Sequence, residues 1–379
     1  MKTLYQLDNS GNTKVWHIEV ANCGTYSVII TRSGRLHGAE VENVTVVEGG
    51  KNIGKSNETD HYTQAVSQME TKINAKIKKG YCEDLQDVKS SSLLGSGIPA
   101  PMLAQKYCED GSQSNSKTLA KLGIRGQEII VQPKLDGNRC IIRVGKGKAE
   151  MFARKGDLMP VQLDHIINDL AQWVFFDEYV YLDGELFSDI ISFNTLNGLI
   201  KRVTVTDEDI EQRKFIKYHL YDVILDVGYE ERNEFIQKFE SYNIVLVPSI
   251  KIIATEDNIK EMLEKFLEEG HEGLMIRQLH MGYENKRTWQ LCKVKVFEDA
   301  EYQLIDFEED SRHGFVGSFV MNGDDGTYTF NAGASGQSVE ERTEMWLNPE
   351  KYLGRIATIK FFGISEYGVP RFPKFKGFK

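Results

Sequence analysis

The chain has few cysteines and no pair of them placed to act together. Its five, Cys23, Cys82, Cys108, Cys140 and Cys292, contain no CxxC spacing, which excludes a zinc knuckle and a disulfide framework and leaves buried free thiols. Proline is scarce too, with 8 residues in 379, so Pro-rich and fibrous classes are out. No apolar run approaches the roughly 18 residues that cross a bilayer. The opening MKTLYQLDNSG lacks the basic-then-apolar order of a secretory signal. Both absences lead us to expect an intracellular protein with no membrane partner. An excess of positive charge is also missing. With 46 Lys and Arg against 56 Asp and Glu, the net charge is −10, which argues against coating a polyanion by bulk charge but leaves local patches open.

What is present fits a folded soluble chain: 41% hydrophobic, 27% charged and 10% aromatic residues. Its length allows two or three domains at roughly 150 residues each. Polar, turn-rich stretches at 83–97 and 109–117 mark a first boundary. Ahead of it, LYQLD, VWHIEV, TYSVIIT and AEVENVTVVE read as short strands, and 58–80 as a helix ending at Gly80. Strands and helices then alternate to about Phe297. Residues 301–379 read as several strands with Gly-rich turns, NGDDG and NAGASG, the pattern of a small barrel. One local patch of positive charge is plain. Residues 351–379 hold Lys351, Arg355, Lys360, Arg371, Lys374, Lys376 and Lys379 against the single acid Glu366, interleaved with seven aromatics. That mixture suits phosphate and base contacts, or equally a strand-rich end with a solvated face.

Residues Gly49 to Ser56, GGKNIGKS, satisfy the phosphate-binding spacing G-x-x-x-x-G-K-[ST]. A nucleotide-binding loop of that kind needs several βαβ units and a second acidic strand end, and the local domain closes within about 85 residues. A Gly-rich turn before a capped helix is the better reading.

The sharpest stretch is Gln132-Pro133-Lys134-Leu135-Asp136-Gly137-Asn138-Arg139. It places a lysine after an apolar strand, where desolvation and neighbouring cations lower the ammonium pKa and free the amine to attack. Four further stretches follow in order: YLDGEL (181–186), YHLYDVI (218–224), EGLMIR (272–277) and LCKVK (291–295). Lys293 and Lys295 fall on one strand face, since residues i and i+2 point the same way. A nucleophilic lysine, carboxylates for a hard cation, an aromatic ring and phosphate-binding lysines make a nucleotidyl-transfer site.

These five segments resemble motifs I, III, IIIa, IV and V of the covalent nucleotidyltransferases, and residues 98–379 resemble a compact ATP-dependent DNA ligase of bacteriophage or bacterial type. The resemblance implies an α+β multidomain fold: a small β-rich domain at 1–85, an adenylation domain of antiparallel sheets and helices at 98–297, and an OB-fold β-barrel at 298–379. It implies ATP and Mg²⁺ (with Mn²⁺ as a substitute), nicked duplex DNA as partner, a monomer, and the cytoplasm of a bacterial or phage-infected cell. By the same resemblance Lys134 is the nucleophile that carries AMP, and Lys293 and Lys295 neutralise phosphate charge. Arg139 and Arg154 hold ribose and the nick phosphate, Glu185 and Glu272 bind ribose and metal, and Tyr221 stacks on adenine.

Gln132 stands where the family commonly has a glutamate that reads the adenine amino group, and its amide oxygen can accept the same bond. Arg371 to Lys379 resembles motif VI, placing Lys379 on ATP and Arg371, Lys374 and Lys376 on DNA, although Lys379 replaces the usual arginine and offers only a point charge. Residues 30–39, the following helix and Lys78 to Tyr81 resemble the DNA-binding WGR domain, with Ser33 in place of its tryptophan. An RNA ligase or capping-type enzyme would share the lysine chemistry, and a non-catalytic DNA-binding protein would share the fold.

Overall fold

The structure, a computed structural model, describes residues 1–7, 12–85, 93–94, 96–108, 115–311, 313–323, 326–334, 336–365 and 367–379. Glu366 and most of the two polar stretches taken as a boundary lie outside the described residues. The chain divides into two compact units, Met1–Val294 and Lys295–Lys379.

The first unit opens with a four-stranded antiparallel meander, Lys2–Leu7, Thr13–Asn22, Ser27–Arg35 and Glu40–Val47. Alternation along these strands sends Leu4, Trp16, Ile18 and Ile29 to one face, which the helix His61–Ile77 covers with Ala65, Met69 and Ile73. Asp60 caps that helix, its side chain accepting from the Thr63 amide at 2.7 Å. The GGKNIGKS segment is an exposed run of turns between the last strand and this cap. Among the described residues, the sheet that precedes it has only antiparallel pairs and gains no parallel strand after it. Lys78, just past the helix, reaches Asp157 at 2.6 Å.

Two larger sheets carry the motifs. One, ordered Ile244–Leu246, Lys217–Val223, Val180–Phe187, Asn138–Gly145 and Lys148–Ala153, is antiparallel apart from its first pair. The other runs Ile250–Ile253, Glu128–Lys134, Gly273–Gln278, Arg287–Lys295, Leu103–Tyr107 and Ser116–Lys117, with its last pairings parallel. The sheets are therefore mixed rather than wholly antiparallel, because the helix Tyr229–Ile236 returns the chain in the same sense. Ile142, Val144, Leu182, Leu186, Tyr218 and Leu220 build the core of the first sheet, and Ile129, Val131, Leu274 and Ile276 that of the second.

The second unit is a closed barrel of Glu298–Glu309, Val316–Asn322, Thr329–Gly333, Lys374–Phe378 and Ile356–Phe361. Two expectations are corrected here. NAGASG is not a turn at its start: Asn331 to Gly333 are strand, with Ala332 fully buried opposite Phe319 of the neighbouring strand. The unit is also not all strand, since Val339–Leu347 is helical. Its capping box, in which Ser338 accepts from the Glu341 amide and Glu341 from the Ser338 amide, is written in the sequence as S-x-x-E.

Candidate active site

The paired strands Glu128–Lys134 and Gly273–Gln278 set Lys134 opposite Gly273. The Glu272 amide donates to the Lys134 carbonyl at 2.9 Å, and the Glu272 carboxylate, 8% exposed as a residue, forms an ion pair with Lys134 Nζ. The strand thus ends with its lysine already facing a carboxylate. The turn that follows is tight for a steric reason. A Cβ on Gly137 would lie 2.4 Å from the Leu186 carbonyl and 2.7 Å from Glu185 Cγ. Glycine there lets the turn after Lys134 approach the strand that carries Glu185. Gly184 is enclosed in the same way by the His219 carbonyl and the Tyr218 ring.

Lys134, Gln132, Arg139, Arg154, Glu185, Tyr221 and Lys293 all line one cavity of about 160 Å³, together with Arg277, Arg287 and Met275. Glu272 joins them through its ion pair. Lys295, Arg371, Lys374, Lys376 and Lys379 belong to the second unit. There Lys295 lies 4.4 Å from the Phe362 ring centre, Lys376 pairs with Asp299 at 2.7 Å and Lys379 with Glu301 at 2.8 Å. Arg371 packs against Phe362 and Phe372.

Each cavity side chain is held differently. Arg139 is clamped: its Nε donates to Asp183 at 2.6 Å and its terminal nitrogens to the same carboxylate and to the Met102 carbonyl at 3.0 Å. Burial alone would push this guanidinium down, but the charge of Asp183 outweighs it and holds Arg139 well above the usual arginine value. Asp183 also accepts from the Tyr283 hydroxyl, whose oxygen accepts the Met102 amide at 2.8 Å. Glu185 accepts from the Tyr221 hydroxyl at 3.3 Å. Burial pushes its carboxyl up to about 7, against the pull of Arg139 and Lys134. Tyr221 has Arg139 5.2 Å and Arg277 5.5 Å from its ring centre.

Arg154 is the exception among these cations. It makes no hydrogen bond or ion pair among the described residues, and burial, then Arg139 and Arg287, push its guanidinium below the usual value. An exposed arginine crowded by other cations is a place that an anion relieves.

Sequence reasoning left Asp183, Asp222, Arg277, Arg287 and Tyr283 without roles, although the first three stand inside quoted motifs. Strand alternation could have placed Asp183 on the face of Glu185, whereas Arg287 and Tyr283 carry no local signal. For a cation, the donor set is Glu185 and Glu272. No group of three or more His, Cys, Asp or Glu converges among the described residues. Two carboxylates suit Mg²⁺, which keeps waters and takes substrate phosphate oxygens, and do not suit zinc.

A lysine paired with a carboxylate, several arginines and a second carboxylate around one cleft are the residue types of a nucleotidyl-transfer site. The comparisons with known proteins narrow this. Residues 101–295 match the ATP dependent DNA ligase domain family and 311–379 the DNA ligase OB-like domain. The chain belongs to the ATP-dependent DNA ligase family. It is 25% identical over 295 residues to a DNA ligase of African swine fever virus, covering 74% of this chain and 64% of that protein. It is 22% identical over 312 residues to the DNA ligase of Enterobacteria phage T4, covering 67% and 62%. The chain thus spans less than two thirds of these curated relatives. Its fold is shared with a Lig E DNA ligase (TM-score 0.58, 21% identity, 74% of this chain and all of that one). It is shared equally with Pmar-Lig (TM-score 0.62, 24% identity, 74% and 67%). No helix among the described residues is long and apolar enough to cross a membrane.

Proposed function

We propose that this chain is an ATP-dependent DNA ligase that joins a 5′-phosphate to the neighbouring 3′-hydroxyl at a nick in duplex DNA, acting as a monomer. The observation that carries the reading is Lys134 on the wall of a cleft whose other walls are Arg139, Arg154, Glu185, Tyr221 and Lys293.

In the first step the Lys134 amine attacks the α-phosphorus of ATP. The N–P bond forms, the bond to pyrophosphate breaks, and AMP remains on the protein. Such a reaction asks mainly for positioning and charge neutralisation. Arg154, with no acceptor among the described residues, takes a phosphate oxygen, and Lys293 with Lys295 offsets the charge moving toward pyrophosphate. Tyr221 presents its ring to adenine while its hydroxyl holds Glu185. Glu185 and Glu272 would hold Mg²⁺, which supplies charge neutralisation at the phosphates when bound. AMP then passes to the DNA 5′-phosphate, and the 3′-hydroxyl displaces it.

We assign the division 1–85, 98–297 and 298–379 to a DNA-gripping WGR-like domain, the adenylation domain and an OB-fold domain. Lys76 lies close enough to Lys79 and Lys14 to feel the charge of both, a basic cluster suited to backbone phosphates. The barrel's Arg371, Lys374 and Lys376 would meet DNA and Lys379 the pyrophosphate. The test is incubation with α-labelled ATP followed by denaturing electrophoresis, and then sealing of a nick already carrying 5′-AMP. A label that stays with the protein and is discharged by nicked DNA supports the reading; absence of labelled protein defeats it.

A further inference from the structure

We propose that the exit of the first helix holds the loop that presents Arg154 to the cleft, which makes Lys78 and Leu94 positioning residues for the phosphate that this arginine takes. The inference rests on the reading of Arg154 as a phosphate ligand given above. Arg139 is aimed by Asp183, whereas Arg154 has no hydrogen bond or ion pair among the described residues to aim it. Its reach is therefore set by the backbone that carries it.

That backbone is a tight loop. The Ala153 amide donates to the Asp157 carbonyl and the Gly156 amide to the Ala153 carbonyl, each at 2.8 Å, and Phe152 bridges to Leu158 at the base. Whatever fixes Gly156 and Asp157 then decides where Arg154 can reach. Lys78 fixes Asp157, with the two charges 2.6 Å apart. Leu94 and Ser96 fix Gly156, which is buried at a φ of 86°. A Cβ built on it would lie 2.7 Å from Leu94 Cδ1 and 2.9 Å from Ser96 Oγ, so both side chains sit directly on the loop. Leu94 also packs on the cluster of Ile98, Ile141 and Phe152.

The helix exit is itself anchored to the meander. Tyr5 and Cys82 exchange both backbone hydrogen bonds, at 2.8 and 2.9 Å, and the buried Gln6 side chain donates to the Lys79 carbonyl. Gly80 meets the Leu93 carbonyl so closely that a Cβ there would lie 2.5 Å from its oxygen. A continuous run of hydrogen-bonded and packed groups thus joins the first strand to the Arg154 loop. The first domain then takes part in the geometry of the reaction, apart from any grip on DNA.

The test measures two rates in the full chain, adduct formation from α-labelled ATP and single-turnover sealing of a nick already carrying 5′-AMP. Arg154→Ala identifies the step that the arginine serves and should slow it by about a hundredfold. The Lys78 and Asp157 side chains are 57% and 42% exposed, so substitution there spares the fold. Lys78→Glu and Asp157→Lys should each slow that same step by about threefold and leave any step that Arg154→Ala spares. Combining the two restores the pair with its charges exchanged, and the rate should return. A purely electrostatic influence on the phosphate would instead drive the two single substitutions in opposite directions. Leu94→Ala should slow the step by about tenfold, and in an Arg154→Ala background it should add nothing, because the loop then has no arginine to position. Leu94→Met, which keeps the contact, should retain the rate. Losses that multiply when Leu94→Ala joins Arg154→Ala, or no loss from either charge substitution in the step that Arg154→Ala slows, overturn the proposal and leave the role of the arginine standing. If Arg154→Ala slows neither step, the phosphate reading falls and this proposal with it.

Discussion

The cations of the cleft and those of the barrel are the same residue types in opposite physical settings. In the cleft, the largely buried Arg139 and the buried Arg277 answer to the buried carboxylates Asp183 and Asp222. In the barrel, Lys376 and Lys379 pair with Asp299 and Glu301 at exposed positions. A buried pair has given up its hydration, so removing one partner strands the other in a medium that cannot solvate it. An exposed pair has water as a ready substitute. The cleft therefore fixes directions, and the barrel offers mobile charge. Arg154 belongs to neither class, being exposed and without a hydrogen bond or ion pair among the described residues.

Substitutions can break this contrast. Lys134→Ala should abolish the AMP adduct, read with α-labelled ATP, while circular dichroism and duplex affinity stay unchanged, because only the nucleophile is lost. Asp183→Ala should cost about 3–5 kcal/mol of stability by urea unfolding, since Arg139 is left buried and unpaired. His219 sharpens the role of burial. It is pushed from 6.5 down to about 4, first by desolvation and then by Lys217 and His271, against the opposing pull of Asp189. Its folded value lies below its unfolded one, so the unfolded chain binds the proton first and stability falls as pH drops from about 6.5 to about 4. His219→Gln should flatten the melting temperature across that window.

Lys376→Ala and Lys379→Ala should each cost less than about 1 kcal/mol. If the motif VI resemblance holds, Lys379→Ala slows adduct formation from ATP and spares sealing of a pre-adenylylated nick; equal slowing of both steps points to the DNA backbone instead. Lys55→Ala should have the smallest effect, leaving adduct yield as it was, and a marked loss would revive the nucleotide-loop reading of residues 49–56.

Removing residues 371–379 outright is a poor test of that tail. Lys374–Phe378 closes the barrel, and Phe375 stacks on Phe319 at 3.9 Å inside it. Loss of the segment would open the core along with removing the charge.

The sequence makes some of this visible and hides the rest for one reason, distance along the chain. Lys134, its Asp-Gly turn and the paired lysines were legible because their signal is local, and the N-terminal meander was legible from its alternation and turns. The helix Val339–Leu347 was missed even though Ser338 and Glu341 spell its cap, because Gly-rich neighbours suggested strands and turns. The partners that orient Gln132 could not have been read at all. Tyr229 and Ser249 lie 97 and 117 residues away in sequence and look like ordinary core and loop residues until the sheets assemble. Likewise Gly137 reads as a turn glycine, yet the reason no other residue fits is the strand carrying Glu185.

The hydrogen bond from the Glu272 amide to the Lys134 carbonyl gives the protein an internal gauge. It belongs to the same strand pairing that sets Lys134 against Glu272. Exchange of this one proton for deuterium reports the opening of the cleft's floor directly, without substrate and without any substitution. Its protection relative to neighbouring strand amides measures how firmly the protein keeps Lys134 beside Glu272.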